Sequence, residues 1–190
     1  MLTTAIIVPG YRQPRRAYKK LHAALCSAGY GVHHVTFESS WGRYGITHLA
    51  HELQDQLKPY RPEQTFLIGF SMGCLVVRRY LQEYGGTKRY PLFCAISGPH
   101  AGTHVARLAP GRAAREMTPG SSFLRELPAI TTLPVERIVG LHTRFDQTIL
   151  PPSSAIIPEV ENLRFSVFGH DFMVRSRRVI GRLLEEASSA

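Results

Sequence analysis

Two rhythms of apolar and polar positions alternate along this chain. Thr4–Val8 is a short, mostly β-branched run that stops at Pro9-Gly10, which reads as a strand entering a turn. Over Ala17–Ala28 the apolar residues Leu21, Ala24, Leu25 and Ala28 recur at helical spacing, and Gly29 ends the pattern. Gly31–Phe37 returns to strand character. Ile46–Leu57 then gathers Ile46, Leu49, Ala50, Leu53 and Leu57 on one helical face, with Pro59 just past its end. Thr65–Gly69 is a continuous apolar strand and Met72–Tyr84 a helix. Leu92–Ser97, Val135–Leu141 and Leu163–Phe168 read as strands, and Met173–Ala187 closes the chain as a helix.

Near-continuous apolar strands separated by helices predict an α/β fold: a mostly parallel sheet of about six strands with helices on both faces. No repeat, low-complexity tract or linker interrupts the alternation, so residues 1–190 are expected to form a single domain. One stretch, 98–134, is longer than connections usually run, and segments of that length tend to be functional. Within it Ser121–Leu127 has the look of a short helix capped by Ser121 or Ser122.

Gly69-Phe70-Ser71-Met72-Gly73 is a G-x-S-x-G pentapeptide with an apolar strand before it and a helix after it. The pattern alone is weak; the strand–turn–helix context is what gives it meaning as a nucleophile elbow. The sharp turn exposes the Ser71 hydroxyl at the carboxyl edge of the sheet, above a helix N-terminus whose dipole favours developing negative charge. Gly69 and Gly73 supply the missing Cβ atoms that so tight a turn demands.

A serine hydroxyl needs a base to take its proton. Of nine histidines, His170 lies directly after the last strand, at the same sheet edge as Ser71, with His100 and His104 in the long segment as rivals. The orienting carboxylate is sought after the penultimate strand. Asp55 is mid-helix and Asp171 adjoins His170, which leaves Asp146 as third member, in the chain order serine, acid, histidine. An oxyanion hole would use the backbone N–H of Met72 together with that of Tyr11, in the loop after the first strand, where Gly10 permits close approach.

With Ser71, Asp146 and His170 in hand, the sequence resembles the α/β-hydrolases, in particular the minimal, lidless bacterial lipases. Ser97-Gly98-Pro99-His100-Ala101-Gly102-Thr103 is similar to that family's Gly-Thr-Pro-His-x-Gly-Thr segment. Met117-Thr118-Pro119-Gly120-Ser121-Ser122-Phe123-Leu124 resembles a stretch of lipases and lipid-anchor deacylases. Two departures stand out: Pro9-Gly10 where His-Gly is usual, which alters a side chain but not the donating backbone, and Cys74 where a second glycine is frequent. The resemblance implies a serine hydrolase of carboxylic esters, with a small-molecule or lipid ester as substrate and no bound cofactor. Phe123, Leu124 and Leu127 are candidates for an acyl groove. A thioesterase, amidase or acyltransferase would use the same parts, and a hydrolase-fold protein that only binds a ligand is the reading from a different class.

The remaining composition narrows the field. A net charge of +9 arises from scattered clusters: Arg12, Arg15, Arg16, Lys19 and Lys20; Arg78 and Arg79; Lys88 and Arg89; and Arg175, Arg177, Arg178 and Arg182. These carry no nucleic-acid motif, and no specific nucleic-acid binding is expected. Three cysteines, Cys26, Cys74 and Cys94, sit in apolar surroundings and read as buried free thiols of a reducing compartment. No apolar run approaches the roughly 20 residues of a membrane span, and the N-terminus lacks the basic start of a secretory signal, so a cytoplasmic protein is expected. His100, His104 and His142 lack a recognised metal-ligand spacing, and no metal site is expected.

Overall fold

Ile, Val, Leu and Phe side chains pack both sides of the inner strands, a pattern that only a sheet covered twice can satisfy. In the computed structural model, which describes residues 1–38, 42–86, 89–127 and 129–190, the strands are Thr4–Val8 (β1), Gly31–His34 (β2), Thr65–Phe70 (β3), Tyr90–Ile96 (β4), Val135–Thr143 (β5) and Glu161–Phe165 (β6). They form one sheet in the order β2-β1-β3-β4-β5-β6, every neighbouring pair parallel. The α-helices are Lys19–Ser27 (α1), Ile46–Leu57 (α2), Met72–Tyr84 (α3), Arg112–Glu116 (α4), Ser122–Glu126 (α5) and Arg177–Ser189 (α6).

The core is split by the sheet. Leu21 and Leu25 of α1 and Val179 and Leu183 of α6 pack with Ile7, Phe66, Ile68 and Leu141 on one face. Ile46, Leu49 and Leu53 of α2 and Leu75, Val76 and Tyr80 of α3 pack with Ile6, Leu67 and Phe93 on the other. Each such buried side chain contributes about 1.5–3 kcal/mol relative to exposure. The expected α/β architecture is therefore present, and α2 and α3 begin and end where the periodicity places them.

The ends of β3, β4 and β5 shift by one or two residues from the sequence reading, and four other boundaries differ for a local reason. β2 stops at His34 rather than Phe37, because the Val35 amide takes the Ile7 carbonyl (3.0 Å) and Pro9 can donate nothing further to a neighbour. β6 runs from Glu161 to Phe165 instead of 163–168; beyond Phe165 the Thr143 hydroxyl donates to the Val167 carbonyl (2.7 Å) in place of a ladder bond. The first helix opens as a 3₁₀ turn, Arg15–Tyr18. The last is broken by Ser176, whose extended backbone (φ −72°, ψ 125°) separates a 3₁₀ turn, His170–Arg175, from α6. The long segment is ordered rather than irregular: it holds α4, α5 and the 3₁₀ turns His104–Leu108 and Ile130–Thr132. Ser121 caps α5 as expected, its Oγ accepting from the Leu124 amide (3.2 Å).

Cys74 and Cys94 are buried and burial pushes both thiols up, whereas Cys26 is exposed, a correction to the sequence reading. Leu25 faces the core, and the next position on a helix turns about 100° away from it. Lys88, of the basic pairs, lies outside the described residues, as does residue 128 of the long segment. No helix among the described residues is long and apolar enough to cross a membrane.

Candidate active site

Strand order reverses between β1 and β3: the chain steps from β1 outward to β2, then returns past β1 to β3 and onward. Open parallel sheets leave a crevice at the carboxyl ends of the strands flanking such a reversal. The loop after β1 carries Tyr11 and the turn after β3 carries Ser71, so these two sequence-predicted residues share the crevice.

Ser71 sits in the left-handed region (φ 54°, ψ −124°), a conformation that costs a non-glycine residue about 1–3 kcal/mol. The turn is held from both sides: the Ser71 amide donates to the Ile96 carbonyl (2.9 Å), and the Cys74 amide donates to the Ser71 carbonyl (3.0 Å). Both elbow glycines are sterically required. A Cβ on Gly69 would meet Cys74 Cα at 2.8 Å, and one on Gly73 would fall on the carbonyl oxygens of Val8 and Pro9. Gly73 thus answers to the β1 loop, not to the other side of its own turn. A Cβ on Gly10 would meet Ser71 Cβ at 3.0 Å, which measures how closely the loop approaches the serine.

Asp146, in the loop after β5, and His170, after β6, are both buried and joined by a hydrogen bond between His170 Nδ1 and Asp146 Oδ2 (2.8 Å). The other carboxylate oxygen accepts from the amides of Thr148 (2.9 Å) and Ile149 (2.8 Å). Burial by itself pushes the Asp146 carboxyl up, but the hydrogen bond and charge of His170 together with those two amides outweigh it and hold the group below its ordinary range. Asp146 is thereby an ionised acceptor that turns Nδ1 into the proton-bearing nitrogen. Although β6 is the sheet edge, the His170 segment doubles back. The Gly169 amide donates to the Phe145 carbonyl (3.2 Å), and the His170 ring lies 4.7 Å from that of Phe70, the residue before Ser71.

The oxyanion-hole candidates are the amides of Tyr11 and Met72. Met72 opens α3, where helix geometry provides its N–H no acceptor, and the Tyr11 N–H has no partner among the described residues. The loop on either side of Tyr11 is fixed by two contacts that sequence reasoning missed. The Gly10 amide donates to the hydroxyl of buried Tyr18 (3.0 Å), and Gln13 Nε2 donates to Asp171 Oδ1 (2.7 Å). Nothing in the spacing of Tyr18 or Gln13 announces either contact.

Of the acyl-groove candidates, Phe123 is buried beneath the Arg79 guanidinium (5.4 Å to the ring centroid), and Leu124 is half-buried against the core. Leu127 lines a cavity of about 590 Å³ with Arg78, His100, Ile130 and Ile157, on the α3 side of the long segment. Among the rival histidines His100 is half-buried, its Nδ1 3.4 Å from Arg78 and its pKa lowered by desolvation to about 3, and His104 is exposed. His100, His104 and His142 do not form a group that could hold a metal, nor do any other three His, Cys, Asp or Glu side chains among the described residues.

No protein-family model and no curated protein matches the sequence. Among solved structures, the chain is similar to the ydeN gene product of Bacillus subtilis (TM-score 0.77, 15% identity, 98% of this chain and 99% of that one). It is also similar to the mature lipase BlEst2 of Bacillus licheniformis (0.81, 12%, 97% and 91%). A third is an esterase of Exiguobacterium antarcticum (0.69, 13%, 99% and 92%). At such identities the likeness is one of fold.

Proposed function

We propose that this chain, which has the α/β-hydrolase fold, is a serine hydrolase of carboxylic esters. The observation that carries the reading is the buried Asp146–His170 hydrogen bond, with the His170 ring 4.7 Å from that of Phe70, which directly precedes a serine held at φ 54°. Ser71 Oγ attacks the ester carbonyl while His170 Nε2 takes its proton, and Asp146 stabilises the imidazolium without becoming protonated itself. The amides of Tyr11 and Met72 donate to the oxyanion, a contribution of about 3–4 kcal/mol for each donor in comparable sites. His170 then passes the proton to the leaving alcohol, and a water activated by the same imidazole releases the acid from the acyl-enzyme. The likeness of fold to a lipase and an esterase supports ester chemistry. No cofactor enters the scheme, and the buried thiols of Cys74 and Cys94 suit work in the cytoplasm.

The test is a fluorescent alkyl-phosphonate probe, applied with a chain-length series of p-nitrophenyl esters. Wild type is expected to be labelled and to hydrolyse the esters, Ser71→Ala to do neither, and Asp146→Asn to lose about a thousand- to ten-thousandfold in kcat while staying folded. Equal labelling of wild type and Ser71→Ala overturns the mechanism. Labelling without ester turnover retains the nucleophile and discards the substrate class.

A further inference from the structure

The first acidic residue of the chain is Glu38, whereas Arg12, Arg15, Arg16, Lys19 and Lys20 all precede it. The fold lays this stretch against the histidine loop: the 3₁₀ turn Arg15–Tyr18 and α1 both pack on His170–Arg175. Two basic clusters that look separate in the sequence therefore meet. At their joint is an open depression of about 720 Å³ lined by Lys20, Val167, Phe168, Phe172 and Arg175, among others. Phe168 is 72% exposed and Phe172 56%. Phe168 stacks on Phe145 (centroids 4.0 Å apart), and the Arg144 guanidinium lies 4.7 Å from the Phe145 centroid. Arg16, Lys19, Lys20 and Arg175 are exposed and make no ion pair among the described residues. The one acid of the loop, Asp171, is engaged by Gln13. The acids before and after it in β6 and α6, Glu161, Glu185 and Glu186, are gathered elsewhere, tied to Arg137 and Arg182.

From this arrangement we infer that the α1–His170 face docks on an anionic lipid surface. The ammonium and guanidinium groups meet lipid phosphates, and Phe168 and Phe172 enter the acyl boundary beneath them. Protruding aromatic side chains flanked by cations are what interfacial binding uses, the charges supplying attraction and the rings apolar burial. A single-stranded nucleic acid would instead need a groove that follows its backbone, with bases stacked along it. The placement has a functional sense, because the two exposed rings stand two residues before and two residues after His170. Docking would turn the crevice toward the lipid layer. The inference stands on the surface alone and survives or fails independently of the serine chemistry.

Vesicle flotation tests it, with phosphatidylcholine alone and phosphatidylcholine mixed with an equal share of phosphatidylglycerol. Wild type and Ser71→Ala are both expected to float with the anionic vesicles and not the neutral ones, more weakly as salt rises. Each cation removed should weaken binding about fivefold, so the Arg16→Gln/Lys20→Gln/Arg175→Gln variant should lose about a hundredfold while hydrolysing a soluble short-chain ester as wild type does. Phe168→Ser/Phe172→Ser should still bind at low salt but be released by salt that wild type withstands. Equal flotation with both vesicle types, flotation with neither, or undiminished binding by the triple variant overturns the proposal. Saturable binding to mixed-sequence DNA without vesicle binding would assign the face to nucleic acid instead.

Discussion

Tyr18 is a fully buried phenol whose hydroxyl receives the amide hydrogen of Gly10 and thereby fixes the loop that presents Tyr11. Removing only that oxygen leaves a buried N–H without a partner, which costs about 1–3 kcal/mol. Tyr18→Phe should therefore lower the melting temperature by several degrees, and kcat should fall roughly tenfold to a hundredfold as the loop drifts, with KM little changed. A loss in KM alone, or no kinetic change, would show that the hydroxyl only stabilises the fold. The contrast with Ser71 marks what a sequence can disclose at this scale. The position of Ser71 is legible because so tight a strand-to-helix turn needs glycines at fixed offsets, and that of Asp146 because aspartates are scarce and one follows the penultimate strand. Tyr18 is an ordinary apolar position of an amphipathic helix, and its partner is set by how the helix lands on the sheet.

At the scale of elements, two glycines make opposite predictions. A methyl on Gly73 would strike the carbonyls of Val8 and Pro9, so Gly73→Ala must push α3 away from the β1 loop. A loss of about 1–3 kcal/mol in denaturant unfolding is expected, with activity falling further than stability explains. Gly181, inside α6, has nothing within 4 Å of a built Cβ, and Gly181→Ala should stabilise by about 0.5–1 kcal/mol. Destabilisation at both positions would contradict this account of the packing. The interiors of β1, α2 and α3 are readable from periodicity because burial governs them. The ends of β2 and β6 are not, since they are settled by a neighbour's hydrogen bonds, at Val35 and at Thr143, that no local pattern encodes. The same holds for Ser176, where a single extended residue divides what the apolar pattern joins into one helix.

Over the whole molecule, desolvated titratable groups set an acid limit. Burial lowers the pKa of His34 to about 4 and that of His100 to about 3, against an ordinary value of 6.5. Between those values the unfolded chain takes up protons that the folded protein refuses, so stability falls as pH falls, by at most about 1.4 kcal/mol per pH unit for each group. Asp146 adds to the same limb lower down. Its carboxyl is depressed in the fold, so its contribution is complete above the ordinary carboxylate range and disappears as pH drops through the folded value. Denaturant midpoints measured from pH 7 down to pH 4 should decline steadily, and His100→Gln should flatten the decline. An unchanged slope would mean that His100 is protonated within the fold.

The Gln13–Asp171 hydrogen bond and the packing of α1 on the His170 segment join parts of the chain separated by 158 positions. During synthesis the serine elbow and the loop beside it can be complete while the imidazole and its carboxylate neighbour have yet to emerge. Under the proposed mechanism such a product would cleave no ester. By that mechanism turnover would begin only when the last strand has been added to the edge of the sheet and the chain has folded back across it, and catalysis would itself report that folding has finished.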